Sequence, residues 1–160
     1  CGGKSSWSAT RCLGTGGPLL DARIAAPMKA VFADTSFYVA VLSPRDTYHA
    51  SAASIAHTIQ GRVITTEYVL LEVATFFSAV THRTTFLELL RVLENDPATT
   101  LLPCSADLWQ RGLTLFAERM DKDWSLTDCI SFVVMQDLEL REALTTDHHF
   151  EQAGFVALLK

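Results

Sequence analysis

Cysteine is sparse in this 160-residue chain, and none of the four (Cys1, Cys12, Cys104, Cys129) stands in a C-x-x-C pair. Zinc-ribbon and thiol-redox motifs are thereby excluded, and a disulfide framework has no place in an ordinary core of this size, so a reduced, cytoplasmic setting is expected. Five prolines and eight glycines are too few for a collagen-like or low-complexity chain. No apolar run reaches the roughly 18 residues that a membrane span requires, so no membrane partner is expected. Bases are outnumbered, 13 against 18 acids, giving a net charge of −5. That balance excludes a protein held to nucleic acid or anionic lipid by bulk charge, though not an enzyme that approaches phosphate through metal ions.

What is present is a core. Hydrophobic residues make up 49% of the chain and charged residues 19%, which excludes a disordered chain and fits one globular domain. Residues 1–27 differ from the rest: five glycines (Gly2, Gly3, Gly14, Gly16, Gly17), Pro18 and Pro27 fall there, without helical or strand periodicity. This stretch reads as a flexible leader lacking the apolar core of a secretory signal, with Met28-Lys29 as the expected natural start and 28–160 as the domain. Lys4, Arg11 and Arg23 lie in the leader with Asp21, so the domain carries 10 basic and 17 acidic residues.

Beyond the leader, short apolar runs alternate with helical patterns. Strands are expected at 30–33, 63–66, 99–102, 143–146 and 155–159. Helices are expected at 36–42, 48–60, 67–82, 85–94, 105–120 and 127–138. Alternation of this kind predicts a central parallel sheet covered by helices on both faces, an α/β/α sandwich.

Four acids draw attention. Functional groups collect at the carboxyl ends of parallel strands. Asp34 directly follows the first expected strand and Asp147 the fourth, so the two meet if those strands are neighbours; helix capping is the alternative role for each. Glu72 has Tyr68, Val69, Thr75 and Phe76 as its helical neighbours, so it is expected to be largely buried and to require a cation, either a Lys or Arg or a metal. Asp128 fits a capping box with Ser125, which leaves one carboxylate oxygen free for a metal. Four converging carboxylates would repel one another without cations, and hard oxygen ligands suit Mg²⁺ or Mn²⁺.

The motifs Phe32-Ala33-Asp34-Thr35-Ser36-Phe37, Leu71-Glu72-Val73, Trp124-Ser125-Leu126-Thr127-Asp128-Cys129 and Leu144-Thr145-Thr146-Asp147-His148-His149-Phe150 occur in that order over 114 residues, from Asp34 to Asp147. Together they make the segment 28–160 resemble the PIN-domain nucleases, most closely the toxins of VapBC-type toxin–antitoxin pairs. The resemblance implies a three-layer α/β/α sandwich around a central parallel sheet. It also implies that Asp34, Glu72, Asp128 and Asp147 form a catalytic, metal-binding site for Mg²⁺- or Mn²⁺-dependent cleavage of RNA. Asp34 and Asp128 are the firmest expected ligands, and Ser36, Thr146 and Thr35 the hydroxyls expected to orient carboxylates. A cognate antitoxin and a homodimer are the implied protein partners. A housekeeping RNA-processing nuclease and a non-catalytic binding module of the same fold are the competing readings.

Other residues carry less weight. His148 and His149 read as surface or cap residues, because adjacent side chains diverge in direction. Trp109 and Trp124 read as packing residues before base-stacking ones. Phe76, Phe77, Phe86, Leu87, Leu89 and Leu90 give two helices wide apolar surfaces, read as core or as a groove for a partner helix.

Overall fold

The computed structural model describes residues 29–159; the leader lies outside them. In chain order the elements are β1 (Ala30–Ala33), α1 (Thr35–Leu42), α2 (His49–Thr58), β2 (Arg62–Thr66), α3 (Glu67–Phe76), α4 (Arg83–Asn95), β3 (Thr99–Leu102), α5 (Ala106–Glu118), α6 (Leu126–Asp137), β4 (Glu142–Leu144), α7 (His148–Gln152) and β5 (Val156–Ala157). The five strands form one sheet in the order β3-β2-β1-β4-β5, every pair parallel. A parallel strand covered on both faces needs a continuous apolar run rather than an alternating one. The Ala30-Val31-Phe32-Ala33 stretch supplies it, with Val31, Phe32 and Ala33 all buried.

The strand order decides where a site can form. From β1 the chain moves outward to β2 and β3, then returns past β1 to β4 and β5. Right-handed crossovers therefore put α1 to α4 on one face and α5 to α7 on the other. The reversal falls between β1 and β4, and a crevice opens beyond their carboxyl ends. The two ends are stitched together, since the Asp34 amide donates to the Leu144 carbonyl at 3.1 Å.

The helical layers are locked by aromatic and close-packed contacts. Phe132 of α6 meets Trp124 at 4.9 Å, Phe150 of α7 at 5.0 Å and Phe155 at 5.7 Å between ring centroids. Helices α5 and α6 approach closely at Gly112, where a Cβ would run into the Ile130 side chain. Gly61 carries a φ of +128° at the turn into β2, and a Cβ there would collide with the Lys29 carbonyl oxygen.

Three expectations about elements need correction. The helix expected over 67–82 ends early: α3 stops at Phe76, and the helix expected over 85–94 begins two residues sooner, as α4 at Arg83. Phe77 is buried, the Ser78 amide turns back to the Thr75 carbonyl, and Arg83 Nε takes the Ser78 carbonyl, so turns replace the helical ladder. Strand β4 ends at Leu144, because Thr145 leaves the ladder to place its hydroxyl against Asp34. The five-residue α7, capped by Asp147, was not expected as a helix at all. Of the apolar helical surfaces, Phe77 belongs to the core, Phe86, Leu89 and Leu90 are half-buried, and Phe76 and Leu87 stand exposed.

Candidate active site

Asp34 follows β1 directly and caps α1, in the extended conformation that frees its side chain to turn back on the helix. One oxygen, Oδ2, accepts three hydrogen bonds: from the Ser36 amide (3.2 Å), the Ser36 hydroxyl (2.9 Å) and the Thr145 hydroxyl (2.9 Å). Each hydroxyl in turn accepts a backbone N–H at 3.0 Å, Ser36 from Thr146 and Thr145 from Asp147. Their own protons are thus directed at Asp34, and the carboxylate is oriented through one oxygen. Asp34 is only 5% exposed. Burial pushes its pKa up to about 6, against the lowering effect of the Thr145 and Ser36 hydrogen bonds.

Asp128 is buried at the third position of α6, and its capping box with Ser125 is complete. Ser125 Oγ accepts from the Asp128 amide (3.0 Å), and Asp128 Oδ2 accepts from the Ser125 amide (2.8 Å). The cap therefore occupies one carboxylate oxygen. Burial raises the pKa of Asp128, the Ser125 amide opposes that rise, and the charge of Asp147 adds to it. Asp147 is half-buried and caps α7, its Oδ1 accepting from the His149 amide at 2.8 Å.

Glu72 departs from its expected environment. It is half-buried rather than largely buried, because Phe76 and Leu71 beside it on α3 face outward. Its recorded partner is a hydroxyl instead of a cation: Thr35 Oγ1 donates to Glu72 Oε2 at 2.8 Å. The bond draws the α3 carboxylate towards the start of α1, next to Asp34.

The expected hydroxyls therefore divide by role. Ser36 and Thr35 each hold a carboxylate, while Thr146 contributes its backbone N–H to Ser36. The hydroxyl that reaches Asp34 from the fourth strand's end is that of Thr145, which is fully buried. Alternation of side chains along an extended segment is the signal that separates these neighbouring threonines.

His149, read from the sequence as a surface or cap residue, lies against two of the acids. Its Nδ1 lies 3.3 Å from Asp128 Oδ2 and 3.4 Å from Asp147 Oδ2, so the ring sits between the two acids. Nor do the adjacent histidines diverge: the His148 and His149 rings are 4.4 Å apart. Trp124 is core, buried against Phe132, with Nε1 donating to Gln152 at 3.1 Å and the Arg119 guanidinium over its ring. Trp109 is half-exposed against Tyr68.

The donor chemistry suits a hard cation. Among the described residues, the Lys and Arg ion pairs join Lys29 to Glu142, Arg111 to Asp107 and Asp137, and Arg119 and Lys122 to Asp121. None of them reaches Asp34, Glu72, Asp128 or Asp147. A buried carboxylate without a cation is costly, and Asp34 keeps Oδ1 outside its three hydrogen bonds. Such a set of oxygen donors fits a divalent ion of the Mg²⁺ or Mn²⁺ type.

Comparison with known proteins agrees with this architecture. The PIN domain family model matches residues 31–156. The 23S rRNA-specific endonuclease VapC20 of Mycobacterium tuberculosis is 28% identical over 127 residues, which covers 79% of this chain and 95% of that protein. The crystal structure of VapC20, described as a sarcin-ricin loop cleaving toxin, superposes with a TM-score of 0.74 at 23% identity, covering 81% of this chain and 99% of that one. VapBC2 from Rickettsia felis, bound to a DNA fragment from its promoter, gives a TM-score of 0.56 at 13% identity over 80% of this chain and 96% of that one. FitAcB from Neisseria gonorrhoeae gives 0.56 at 18% identity, over 81% and 96%.

Proposed function

This chain belongs to the PIN-domain family, and we propose that it is a metal-dependent endoribonuclease acting as the toxin of a toxin–antitoxin pair. One observation supports the reading: a buried Asp34 without a Lys or Arg partner, fixed through a single oxygen, stands at the switch point of the sheet, tied through Thr145 to the Asp147 amide and followed by Thr35, which holds Glu72. The substrate class follows from the curated relative, a 23S rRNA-specific endonuclease of nearly the same length as the domain.

In this reading Asp34 and Asp128 hold the ion, with Glu72 and Asp147 completing the acidic set. Mg²⁺ or Mn²⁺, when bound, would polarise the phosphodiester and supply a nucleophile from bound water at neutral pH. The chain's own part is positional. Ser36 and Thr145 orient Asp34, the Ser125 amide orients Asp128, and Thr35 orients Glu72. Orienting bonds of this kind set ligand direction and basicity. Burial keeps water from screening the charges of Asp34 and Asp128.

A cognate antitoxin and a second copy of the chain are the protein partners of this proposal. Toxin–antitoxin complexes are among the structural neighbours. Exposed Phe76 on α3 and Leu87 on α4 offer apolar contact for a partner helix. Among the described residues no helix is long and apolar enough to cross a membrane, and a cytoplasmic location is part of the proposal.

The test is cleavage of ribosomal RNA by the purified chain with Mg²⁺, Mn²⁺ or EDTA, beside Asp34→Asn and Asp128→Asn. Cleavage that requires the metal and falls at least about 100-fold in both variants is expected, the scale of losing a group that stabilises the transition state. Wild-type cleavage by either variant would overturn the site assignment.

A further inference from the structure

Ligand chemistry beyond the four acids gathers at the start of α7. Among the described residues, the side chains of Asp147, His148 and His149 offer ligand atoms that all lie within 4.8 Å of one another. We propose that Asp147, His148 and His149 form a binding site for Zn²⁺, distinct in chemistry from the oxygen-only centre beside it.

The distances are those of ligands around an ion. His148 Nδ1 stands 3.4 Å from Asp147 Oδ1, and His149 Nδ1 stands 3.4 Å from Asp147 Oδ2. These separations exceed the usual N–H···O range of about 2.7–3.2 Å. Two ligands bound to zinc at about 2.0–2.1 Å and a tetrahedral angle stand about 3.3–3.4 Å apart. In the metal-free chain His149 Nδ1 is hydrogen-bonded to Asp128 Oδ2 at 3.3 Å, a bond that ligation of zinc by Nδ1 replaces.

The local fold prepares this arrangement. Asp147 caps α7 by accepting the His149 amide, which fixes its carboxylate over the first turn. Both imidazole Nδ1 atoms then face that carboxylate, with the rings 4.4 Å apart. The His148 side chain is 70% exposed, which gives an ion a path in, while the His149 side chain is only 17% exposed and is held by its surroundings. Imidazole nitrogen selects zinc over magnesium, whereas Asp34, Glu72 and Asp128 present oxygen alone.

Asp147 is shared between the two centres. Zinc on the histidine side therefore draws Asp147 from the oxygen-only set, so Zn²⁺ competes with the activating ion. The binding claim itself does not rest on the nuclease reading, because its measurement needs no RNA.

The experiment is calorimetric titration of the EDTA-stripped full chain with ZnCl₂ and, separately, MgCl₂. One equivalent of Zn²⁺ is expected to bind. His148→Ala and His149→Ala are each expected to weaken it about tenfold or more, while Asp34→Asn and Cys104→Ser leave it in place. Mg²⁺ binding is expected to be unchanged by His148→Ala. Since His148 is exposed, that variant keeps the fold, and its circular dichroism spectrum verifies this. Absence of zinc binding in the wild type, wild-type zinc affinity in His148→Ala, or loss of zinc binding in Asp34→Asn or Cys104→Ser would each overturn the proposal.

Discussion

The Thr145 hydroxyl donates to Asp34 Oδ2 at 2.9 Å, joining the end of β1 to a residue 111 positions later. Thr145 Oγ1 in turn accepts the Asp147 amide at 3.0 Å, so Thr145 links two of the four acids. Thr145→Val keeps the shape and removes the donor. It also strands the Asp147 N–H. A loss of about 1–3 kcal/mol is expected in urea unfolding, as for a buried polar group left unpaired. Thr145→Ser is expected to restore most of that loss and the cleavage activity with it. A valine variant with wild-type stability and cleavage would show the link to be idle.

Burial of Asp34 predicts a pH-dependent cost to the metal-free protein. Its folded pKa is about 6 against an ordinary 3.8, so folding favours the protonated form. Its contribution to stability is therefore full below about pH 4 and lost as pH rises through about 6. Asp128, shifted in the same direction by burial, adds to this trend. Asp34→Asn, unfolded in EDTA, is expected to be about 1–3 kcal/mol more stable than wild type at pH 7, with the gap closing towards pH 4. A gap of constant size across that range would contradict the assignment of cost to this carboxyl.

Capping and catalysis are separable at Asp128. Ser125→Ala removes the hydroxyl that accepts the Asp128 amide and is expected to cost about 1 kcal/mol of stability. Asp128→Asn keeps an oxygen for the Ser125 amide and is expected to preserve most stability while abolishing cleavage. Thermal melts and RNA cleavage, read side by side, check the division. Equal loss of both properties in Asp128→Asn would reduce Asp128 to a cap.

Which parts of this were legible beforehand follows from physical range. The apolar run at β1 and the capping box at Ser125 are local signals, and the structure carries both. That β1 and β4 are neighbours is not local, and only the strand order brings Thr145 to bridge Asp34 and the Asp147 amide. Helix α7 spans five residues, too few to display a helical period. Phe77 belongs to an apolar stretch that reads as continuous helix, yet the turn at Ser78 breaks it. Thr145 and Thr146 are identical in type, and side-chain alternation separates them only once it is known which face of the segment after β4 meets Asp34.

Close backbone approaches make a further stability prediction. Gly61 combines a positive φ with a Lys29 carbonyl oxygen lying where a Cβ would go. Neither the backbone conformation nor the carbonyl can yield cheaply. Gly61→Ala is expected to lower stability by about 2 kcal/mol or more. Gly112→Ala meets the Ile130 side chain instead; its over-packing cost of about 1–3 kcal/mol is partly offset by about 1 kcal/mol of helix propensity. Unfolding midpoints should therefore place Gly61→Ala below Gly112→Ala, and the reverse order would refute the argument.

Metal binding offers the most direct check on the acidic centre. A ligand that binds only the folded state raises the melting temperature, by an amount that grows with the logarithm of its concentration relative to Kd. Mg²⁺ or Mn²⁺ at millimolar concentration is expected to raise the melting temperature of the wild type over that in EDTA, and to do so at pH 7 more than at pH 5, where protons compete for Asp34. The Asp34→Asn/Asp128→Asn double variant is expected to melt at one temperature in all three conditions. Since neither substitution removes volume from the core, an unchanged circular dichroism spectrum separates loss of the site from loss of the fold. A metal-dependent rise that survives in the double variant would move the ion away from these acids.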